Sequence, residues 1–298
     1  RDKKVMNSIN DHHFNPKLKY AVFNDNVKAT NDLEEIAKKN IIFIALPSQS
    51  IREVLSKSYF QNLESDIVIA SKGIEISSSM FLSNVVDSVI KPKSLSILSG
   101  PCFSDEVAQD LPTAATFASS NSFIFDTISG MLKNKKFRIY YSDDVIGCQI
   151  GGALKNIYAI AAGISDGLNL GENARSALIT RSFVEISRFA MFFKSKKETI
   201  FGLSGLGDLM LTCNSSKSRN TNFGIKIANI KHKNFEKELE KNAITEGYYT
   251  TKAAIKIATE NNIEMPILQS IFNILYNGFD IEDEINKLMS RPLTTENI

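Results

Sequence analysis

Residues 142–167 read SDDVIGCQIGGALKNIYAIAAGISDG, and this stretch predicts one long buried helix. Ser142 or Asp143 can cap its start, and Asp144 places negative charge in its first turn. Gly167 offers a left-handed stop at its other end. Apolar residues recur at three- and four-residue steps, and extra alanines widen the apolar surface until little is left for water. We therefore expect the rest of the chain to be organised around this helix.

A lysine in the middle of this apolar stretch, Lys155, is the first candidate for chemistry. It can snorkel to a surface, or it can line a cavity where a desolvated amine with a lowered pKa exchanges protons. Gly151 and Gly152 lie one turn back and remove side chains where a ligand or another backbone could approach. Asn156 follows with a carboxamide. On the residues alone, both interpretations of the lysine stay open.

Length, charge and cysteine content indicate a two-domain protein with a small-molecule partner. The 298 residues are 43% hydrophobic, which is enough to bury a large core and to form two domains. The 35 basic and 33 acidic residues give a formal charge of +2, so no global field favours nucleic acid or a membrane surface. Three widely spaced cysteines without a CxxC motif disfavour disulfides and zinc and favour a reducing, cytosolic setting: Cys102, Cys148 and Cys213.

Hydropathy places the chain among soluble proteins. No apolar run approaches the length of a membrane-spanning helix without a charged or polar interruption. The first residues, RDKKVMNSIND, do not have the pattern of a signal peptide. We expect no stable membrane insertion and no nucleic-acid partner.

The first part of the chain predicts a doubly wound α/β sheet. The first forty residues are polar, and we expect His12 and His13 to lie in a solvated loop, since adjacent histidines make a poor metal pair. Strands are predicted at 41–47, 66–73 and 94–101, each a largely apolar run, with helical patterns between them. This alternation is typical of a parallel sheet covered by helices.

Two of these predicted strands end in turns of a ligand-binding type. The second predicted strand ends in SKG at 71–73, and the third ends in the turn SGPC at 99–102. In open parallel sheets, ligands bind at the carboxyl ends of strands, so both turns are expected at one edge of the sheet. Ordinary turn formation is the alternative for each of them.

A change of pattern near Ser142 predicts a domain boundary. Runs at 113–119 and 137–142 can complete the sheet, and helical periodicity dominates from there on. We therefore predict an α/β domain over residues 1–141 and an all-helical domain over residues 142–298.

The helical part carries a second polar constellation, GLSGLGDLMLTCNSSKSRN, over residues 202–220. Its glycines frame a turn that ends in Asp208, which could pair with a buried lysine or serve as a routine helix cap. Ser218, Arg219 and Asn220 offer a hydroxyl, a guanidinium and a carboxamide at a helix start. Such a group can bind phosphate, because the planar fork of arginine is bidentate and helix amides add donors. A simple helix cap is the alternative.

With both constellations in view, the chain resembles the bacterial, soluble NAD(P)-dependent glycerol-3-phosphate dehydrogenases. The likeness runs nearly end to end, through segments such as LSGPCFSDEV, LPTAATFAS, GLSGLGDLMLTC, SRNTNFG and TEGYYTTKA. It implies a cytoplasmic oxidoreductase that interconverts dihydroxyacetone phosphate and sn-glycerol 3-phosphate for phospholipid synthesis. It also implies a Rossmann-like dinucleotide-binding domain over residues 1–141, a helical substrate domain over residues 142–298, and NAD or NADP as the cofactor.

The resemblance also assigns roles to individual residues. In that family, the lysine matching Lys155 is the proton donor and acceptor for the substrate oxygen. The lysine matching Lys72 touches both cofactor and substrate, and Gly100 matches a substrate-contacting position. The remaining implied contacts are Asp208, Ser218, Arg219 and Asn220 with the substrate, and Arg219, Ile244 and Glu246 with the dinucleotide.

Three positions depart from the family pattern. Cys102 stands where serine is usual, so we expect it to line the substrate as a weak donor. Ser104 replaces an alanine on the cofactor side. Leu18 stands where an aromatic residue near the adenine is common, which puts that contact in doubt.

The start of the chain differs most from the family pattern. A dinucleotide fold opens with a strand and a glycine-rich phosphate turn, yet the first glycine here is Gly73. We therefore expect that strand and turn to lie before Arg1. Arg1 itself matches a basic position after the second family strand, which would suit a 2′-phosphate and favours NADPH.

Two alternatives to this enzyme remain at this point. One is a truncated, non-catalytic remnant that binds phosphate ligands weakly. The other is a related 6-phosphogluconate or β-hydroxyacid dehydrogenase, although GLSGLGD at 202–208 with Ser218, Arg219 and Asn220 argues against it. The sequence leaves open whether the protein forms a homodimer.

Overall fold

The computed structural model describes residues 2–18, 20–230, 235, 239, 245–293 and 295–296. Its five strands form one sheet in the order β1-β2-β3-β4-β5. The strands are β1 Ile41–Ile44, β2 Asp66–Ile69, β3 Ser94–Ser99, β4 Thr113–Ser119 and β5 Phe137–Ser142.

The first three strands pair in parallel, as the alternation of strand and helix patterns predicted. Ile44 pairs with Ile69, and Ile69 pairs with Ile97, so the register places apolar side chains of neighbouring strands side by side. Ile69 is fully buried, as is typical of a sheet covered on both faces. The carboxyl ends of these three strands consequently meet at one edge.

The fourth strand corrects the expectation of a wholly parallel sheet. β4 runs antiparallel to β3, with Ser99 opposite Thr116, while β5 runs parallel to β4. The connection from β3 to β4 holds only a five-residue helix, Ser104–Ala108. It contains no helix long enough for the usual crossover between parallel strands. The start of β4 therefore lies at the same edge as the carboxyl ends of β1–β3.

Fourteen α-helices lie in the described part of the chain, and eight of them begin before residue 172. These are α1 Lys3–His12, α2 Leu33–Ala37, α3 Ile51–Leu55, α4 Leu82–Val89, α5 Ser104–Ala108, α6 Phe123–Leu132, α7 Val145–Gly167 and α8 Gly171–Phe192. The others are α9 Lys197–Phe201, α10 Asp208–Cys213, α11 Arg219–Ala228, α12 Glu246–Glu260, α13 Pro266–Asn277 and α14 Ile281–Met289.

The expected loop around His12 and His13 is wrong, since α1 extends to His12. Asp2 caps this helix by accepting hydrogen bonds from the amides of Lys4 and Val5. His13 ends it in the left-handed conformation, with φ of 51°. The local cap outweighs the polar composition from which the loop was predicted.

The long helix α7 confirms the organising element, but both of its ends differ from the prediction. Gly167 is its last helical residue and not a left-handed stop, since Leu168 caps the end with φ of −89°. Ser142 closes β5, and neither it nor Asp143 is the cap; the carboxylate of Asp144 accepts the amide of Gly147 instead. Every residue from Gly147 to Ser165 is buried. By length and hydropathy this helix could cross a membrane, but 89% of its most apolar window is buried inside the protein. It is the core helix of the second half.

The described residues form one large apolar core around α7 and two smaller apolar clusters at the sheet. The larger core joins α7 to the helices that follow it, with Leu154, Ile157 and Phe189 fully buried. Two smaller clusters cover the two faces of the sheet. Cys148, in α7, packs into one of these sheet clusters, so the two halves share an interface along α7. The exact boundary between residues 141 and 142 stays a prediction.

Candidate active site

One carboxylate and two lysines form the centre of the site. Asp208, the first residue of α10, holds the amines with separate oxygens: Oδ1 lies 2.5 Å from Nζ of Lys155, and Oδ2 lies 2.5 Å from Nζ of Lys72. Lys72 also donates to the carbonyl of Gly100 over 3.0 Å, and Lys155 donates to the hydroxyl of Thr212 over 2.7 Å. The turns after β2 and β3 thus meet α7 and α10.

Burial decides between the two interpretations of Lys155. Its side chain is 9% exposed and that of Asp208 is 1% exposed, so the lysine does not snorkel to a surface. Burial lowers the pKa of Lys155 to about 8, and the nearby charge of Lys72 adds to this effect. The carboxylate of Asp208 opposes both. An amine with these neighbours can exchange a proton near neutral pH.

Two adjacent glycines of α7 allow this arrangement. A Cβ atom at Gly152 would lie 2.8 Å from Oγ of Ser99 and 3.4 Å from the stem of Lys72. A Cβ atom at Gly151 would lie 2.3 Å from the carbonyl oxygen of Ser204, in the turn that leads to Asp208. The prediction that these glycines permit close approach is confirmed.

A cleft of about 660 Å³ opens beside this centre at the edge of the sheet. Lys72, Ser99 and Gly100 line it from the ends of the strands, and Leu18 lines it from the segment after α1. The hydroxyl of Ser99 is buried and has no hydrogen-bond partner within the described part of the chain. It is therefore a polar group available to a ligand.

Cys102 and Ser104 line the same cleft. The thiol of Cys102 is partly buried and lies 3.7 Å from the carbonyl oxygen of Ala114. Burial raises the pKa of this thiol, so it stays protonated and can act only as a weak donor. Ser104 is exposed at the start of α5. Both residues lie where a ligand in the cleft could reach them.

The tripeptide Ser218-Arg219-Asn220 lies at the start of α11, which packs against α7. Ser218 caps that helix by accepting the amide of Thr221 over 3.2 Å, so the cap interpretation holds for this residue. Asn220 donates to the side chain of Asn156, the neighbour of Lys155, over 3.0 Å. Arg219 is exposed, and its positive charge opposes the raised pKa of the nearby Glu246. The helix start is therefore tied to the same stretch of α7 that carries the lysine.

Glu246 joins the two halves at the start of α12. It accepts the amide of Ser48 over 3.0 Å and the hydroxyl of Ser48 over 2.5 Å, just beyond the end of β1. Burial raises the pKa of this carboxyl, against the hydrogen bonds from Ser48. The predicted cofactor residues Arg1 and Ile244 lie outside the described residues.

Sequence reasoning missed Thr212 and Ser48. Thr212 lies four residues after Asp208 on α10, so the two share a face and the spacing could have indicated the contact. Ser48 follows the predicted strand at 41–47, at the edge where ligands were expected. In the described part of the chain, no group of three or more His, Cys, Asp or Glu residues could hold a metal ion.

Comparisons with known proteins agree on one family. The model described as the NAD-dependent glycerol-3-phosphate dehydrogenase N-terminus matches residues 1–124, and that for the C-terminus matches residues 144–286. A glycerol-3-phosphate dehydrogenase (NAD(P)+) of Thermotoga sp. strain RQ2 is 43% identical, over 99% of this chain and 89% of its own length. One from Zymomonas mobilis is 37% identical, over 99% of this chain and 86% of its own length.

A solved structure agrees with these sequence matches. The crystal structure of glycerol-3-phosphate dehydrogenase from Coxiella burnetii is 34% identical, with a TM-score of 0.88 over 97% of this chain and 90% of that chain. The predicted family and the Rossmann-like sheet followed by a helical domain are confirmed. The alternative of a non-catalytic remnant finds no support, because the matches extend over nearly the whole chain. The related dehydrogenases are not favoured either, since both family models match.

Proposed function

Because the chain belongs to the NAD-dependent glycerol-3-phosphate dehydrogenase family, we propose that it interconverts dihydroxyacetone phosphate and sn-glycerol 3-phosphate with NAD(P)H. The observation that carries this proposal is the pair of lysines held on one buried carboxylate at the ligand-binding edge of the sheet. We place the reaction in the cytoplasm and propose that it supplies the backbone of glycerophospholipids.

Lys155 is the proposed proton donor. Reduction of a ketone requires a hydride on carbon and a proton on oxygen, and NAD(P)H supplies the hydride when bound. An ammonium beside the carbonyl stabilises the negative charge that develops on oxygen and then protonates it. The lowered pKa of Lys155, about 8, suits this transfer near neutral pH, since the amine is still protonated but gives up its proton readily. In the reverse direction the neutral amine accepts the proton.

Asp208 is the proposed holder of both amines. Its negative charge favours the protonated form of Lys155 in a buried place where the charge would otherwise be costly. Thr212 accepts a hydrogen bond from the same amine over 2.7 Å and donates its own hydroxyl proton to the backbone carbonyl of Asp208 over 2.6 Å. The position of the Lys155 amine is therefore fixed before a substrate binds.

The start of α11 is the proposed phosphate site. Arg219 brings a guanidinium, and the first amides of the helix add donors. Asn220 connects this helix start to Asn156 and to the amide of Gly247, over 3.0 and 2.9 Å. We propose that Ser218, Arg219 and Asn220 bind the phosphate group while Lys155 faces the carbonyl.

The cleft fits the reactive end of a dinucleotide cofactor. Its volume, its place at the carboxyl ends of β2 and β3, and the unpartnered hydroxyl of Ser99 suit a polar ring such as nicotinamide. Lys72, Ser104, Arg219 and Glu246 stay the proposed cofactor contacts of the described residues. No glycine precedes Gly73, so we assign no pyrophosphate contacts within this sequence. The preference for NADPH suggested by Arg1 stays a prediction.

The direct test is the reduction of dihydroxyacetone phosphate by the purified protein, followed as loss of NADH or NADPH fluorescence. We expect turnover with the phosphorylated ketone, much weaker turnover with unphosphorylated dihydroxyacetone, and a fall in kcat/KM above pH about 8 as Lys155 loses its proton. Oxidation of 6-phosphogluconate in place of this reaction, or turnover of neither substrate, would refute the proposal.

A further inference from the structure

A lysine outside the catalytic centre, Lys217, links the two halves at the surface. Lys217 lies between α10 and α11, directly before Ser218. Its amine lies 2.9 Å from Oδ2 of Asp105 and 2.7 Å from Oε1 of Glu106, both in the first turn of α5. The same amine lies 5.9 Å from the ring centre of Phe103. We call the group of Lys217, Asp105 and Glu106 the clasp.

The clasp connects the two segments to which the substrate contacts are assigned. On one side, α5 follows the turn with Gly100 and Cys102 and forms a wall of the cleft. On the other side, the phosphate-binding tripeptide 218–220 follows the lysine immediately. The lysine and Glu106 are 111 residues apart in the chain, so their contact fixes a distance across the site that local structure does not set.

Each segment is otherwise tied to its own half. Ser218 bonds to Thr221 within α11, and the amide of Lys217 bonds to the hydroxyl of Ser215 over 3.1 Å. Cys102 contacts the carbonyl of Ala114 in β4. These local bonds shape each segment. Lys72 joins Gly100 to Asp208 in the buried centre of the site, whereas the clasp joins the two segments directly.

The clasp is too exposed to matter much for overall stability. The side chain of Lys217 is 44% exposed, and its two partners are similarly open to water. Exposed ion pairs contribute little to the free energy of folding, because water and salt screen them. The hydrogen bonds do raise the pKa of Lys217 and lower that of Asp105, so both groups are charged at neutral pH. An attraction that hardly stabilises the fold can still bias the distance between two loops.

We infer that Lys217 is a positioning residue, which holds the phosphate-binding segment against α5 so that phosphate and carbonyl of one substrate are bound together. This inference rests on the proposed function, since it takes residues 218–220 as the phosphate site. The lysine acts through its two carboxylate partners and does not itself bind the phosphate.

Steady-state kinetics with two kinds of variant tests this role. Lys217→Met keeps the apolar stem over Phe103 and removes the charge, while the double variant Asp105→Asn, Glu106→Gln removes the partners. In each, we expect KM for dihydroxyacetone phosphate to rise about two- to fivefold, with kcat within a factor of two of the wild type. A triple variant that combines these changes should show no larger rise in KM than Lys217→Met or the double variant, because the three residues act as one unit. Lys256→Met, which removes another exposed ion pair on α12, is the matched control and should leave KM unchanged.

The double variant distinguishes a positioning role of Lys217 from direct binding of the phosphate by this lysine. If Lys217 bound the phosphate itself, loss of its competing carboxylates would leave KM unchanged or lower it, and that result would overturn the inference. Additive losses in the triple variant would overturn it as well.

Hydrogen exchange provides a readout that does not depend on turnover. Without substrate, amides of residues 104–108 and 214–218 should exchange faster in Lys217→Met and in the double variant, with the melting temperature unchanged. Equal exchange in all proteins would disprove the clasp, whereas lack of activity in the wild type would count only against the proposed function.

Discussion

Two buried carboxylates of the helical half, Asp208 and Glu185, have opposite surroundings. Asp208 contacts the amines of two lysines. Glu185, in α8, accepts the first amides of α13, at Ile267 and Leu268, over 2.6 and 3.1 Å, together with the hydroxyl of Tyr158 over 3.0 Å. Among the described residues, no cation lies within ion-pair distance of Glu185. Asp208 is therefore paired with positive charges, whereas Glu185 is hydrogen-bonded by neutral donors.

The difference separates the proposed catalytic site from a carboxylate that joins helices. Burial raises the pKa of Glu185 to about 7, because its hydrogen bonds and the charge of Arg188 only partly oppose the loss of water. At the other carboxylate, the same kind of burial instead lowers the pKa of Lys155. At Asp208 the negative charge is balanced by the lysine amines, whereas at Glu185 a negative charge would destabilise the folded state. Variants of both sites on the shared helix α7 can test this contrast.

The largest effect is expected at Lys155. Lys155→Met should lower kcat for dihydroxyacetone phosphate at least about 100-fold with little change in cofactor affinity, because the lost amine is the proposed proton donor to the substrate oxygen. Tyr158→Phe, one turn further along α7, removes a donor to Glu185 and should leave kcat nearly unchanged. Stopped-flow or steady-state assays of the two proteins measure the contrast. Near-normal turnover in Lys155→Met would remove the lysine from the mechanism.

A smaller effect is expected at the exposed end of the site. Arg219→Ala should raise KM for the phosphorylated substrate about 10- to 100-fold, on the order of the 1.5 to 3 kcal/mol of a charged hydrogen bond. The effect on unphosphorylated dihydroxyacetone should be far smaller, so the ratio of the two losses is the measured quantity. Equal losses on both substrates would mean that Arg219 supports the fold or the cofactor.

The smallest effect is a change in stability with pH at Glu185. Its folded-state pKa, about 7, lies above the ordinary value of 4.5, so the folded protein binds more protons between these values. The contribution of this group therefore stabilises the fold at low pH and is lost as pH rises toward 7. The free energy of unfolding of the wild type should therefore fall by on the order of 1 to 3 kcal/mol more than that of Glu185→Gln as pH rises.

Urea unfolding of both proteins at pH 5 and pH 7.5 measures that difference. Titration of Tyr158 lies well above this range, since burial raises its pKa, so it does not confuse the result. Identical pH slopes in wild type and variant would show that Glu185 is ionised in the folded protein at both pH values.

The sequence predicted the parts of this molecule that depend on local pattern. The apolar periodicity of α7 marked the core helix, and the glycines beside Lys155 marked a close approach, because each signal lies within a few residues. The pairing of Lys155 with Asp208 was one of two open possibilities, since 53 residues separate them and only the fold brings them together. The same limit hid the contact between Glu246 and Ser48, which crosses the two halves.

Strand direction and helix caps were harder for physical reasons. The antiparallel pairing of β4 depends on the path of the chain between strands, which composition does not encode directly. Asp143 and Asp144 have the same cap chemistry, and the choice between them follows from where β5 ends. Residue roles at the site came from resemblance, and they stay predictions until the variants are measured.

The contact of two lysines with one carboxylate has a consequence for the entropy of substrate binding. A free lysine side chain has about 2 kcal/mol of rotamer entropy, which is lost when its amine is fixed. Here Lys72 and Lys155 are already fixed by Asp208, so that loss occurs during folding. A substrate entering the cleft then meets amines in place and loses chiefly its own freedom of motion. The folded state thus carries an ordering cost that would otherwise recur at every turnover.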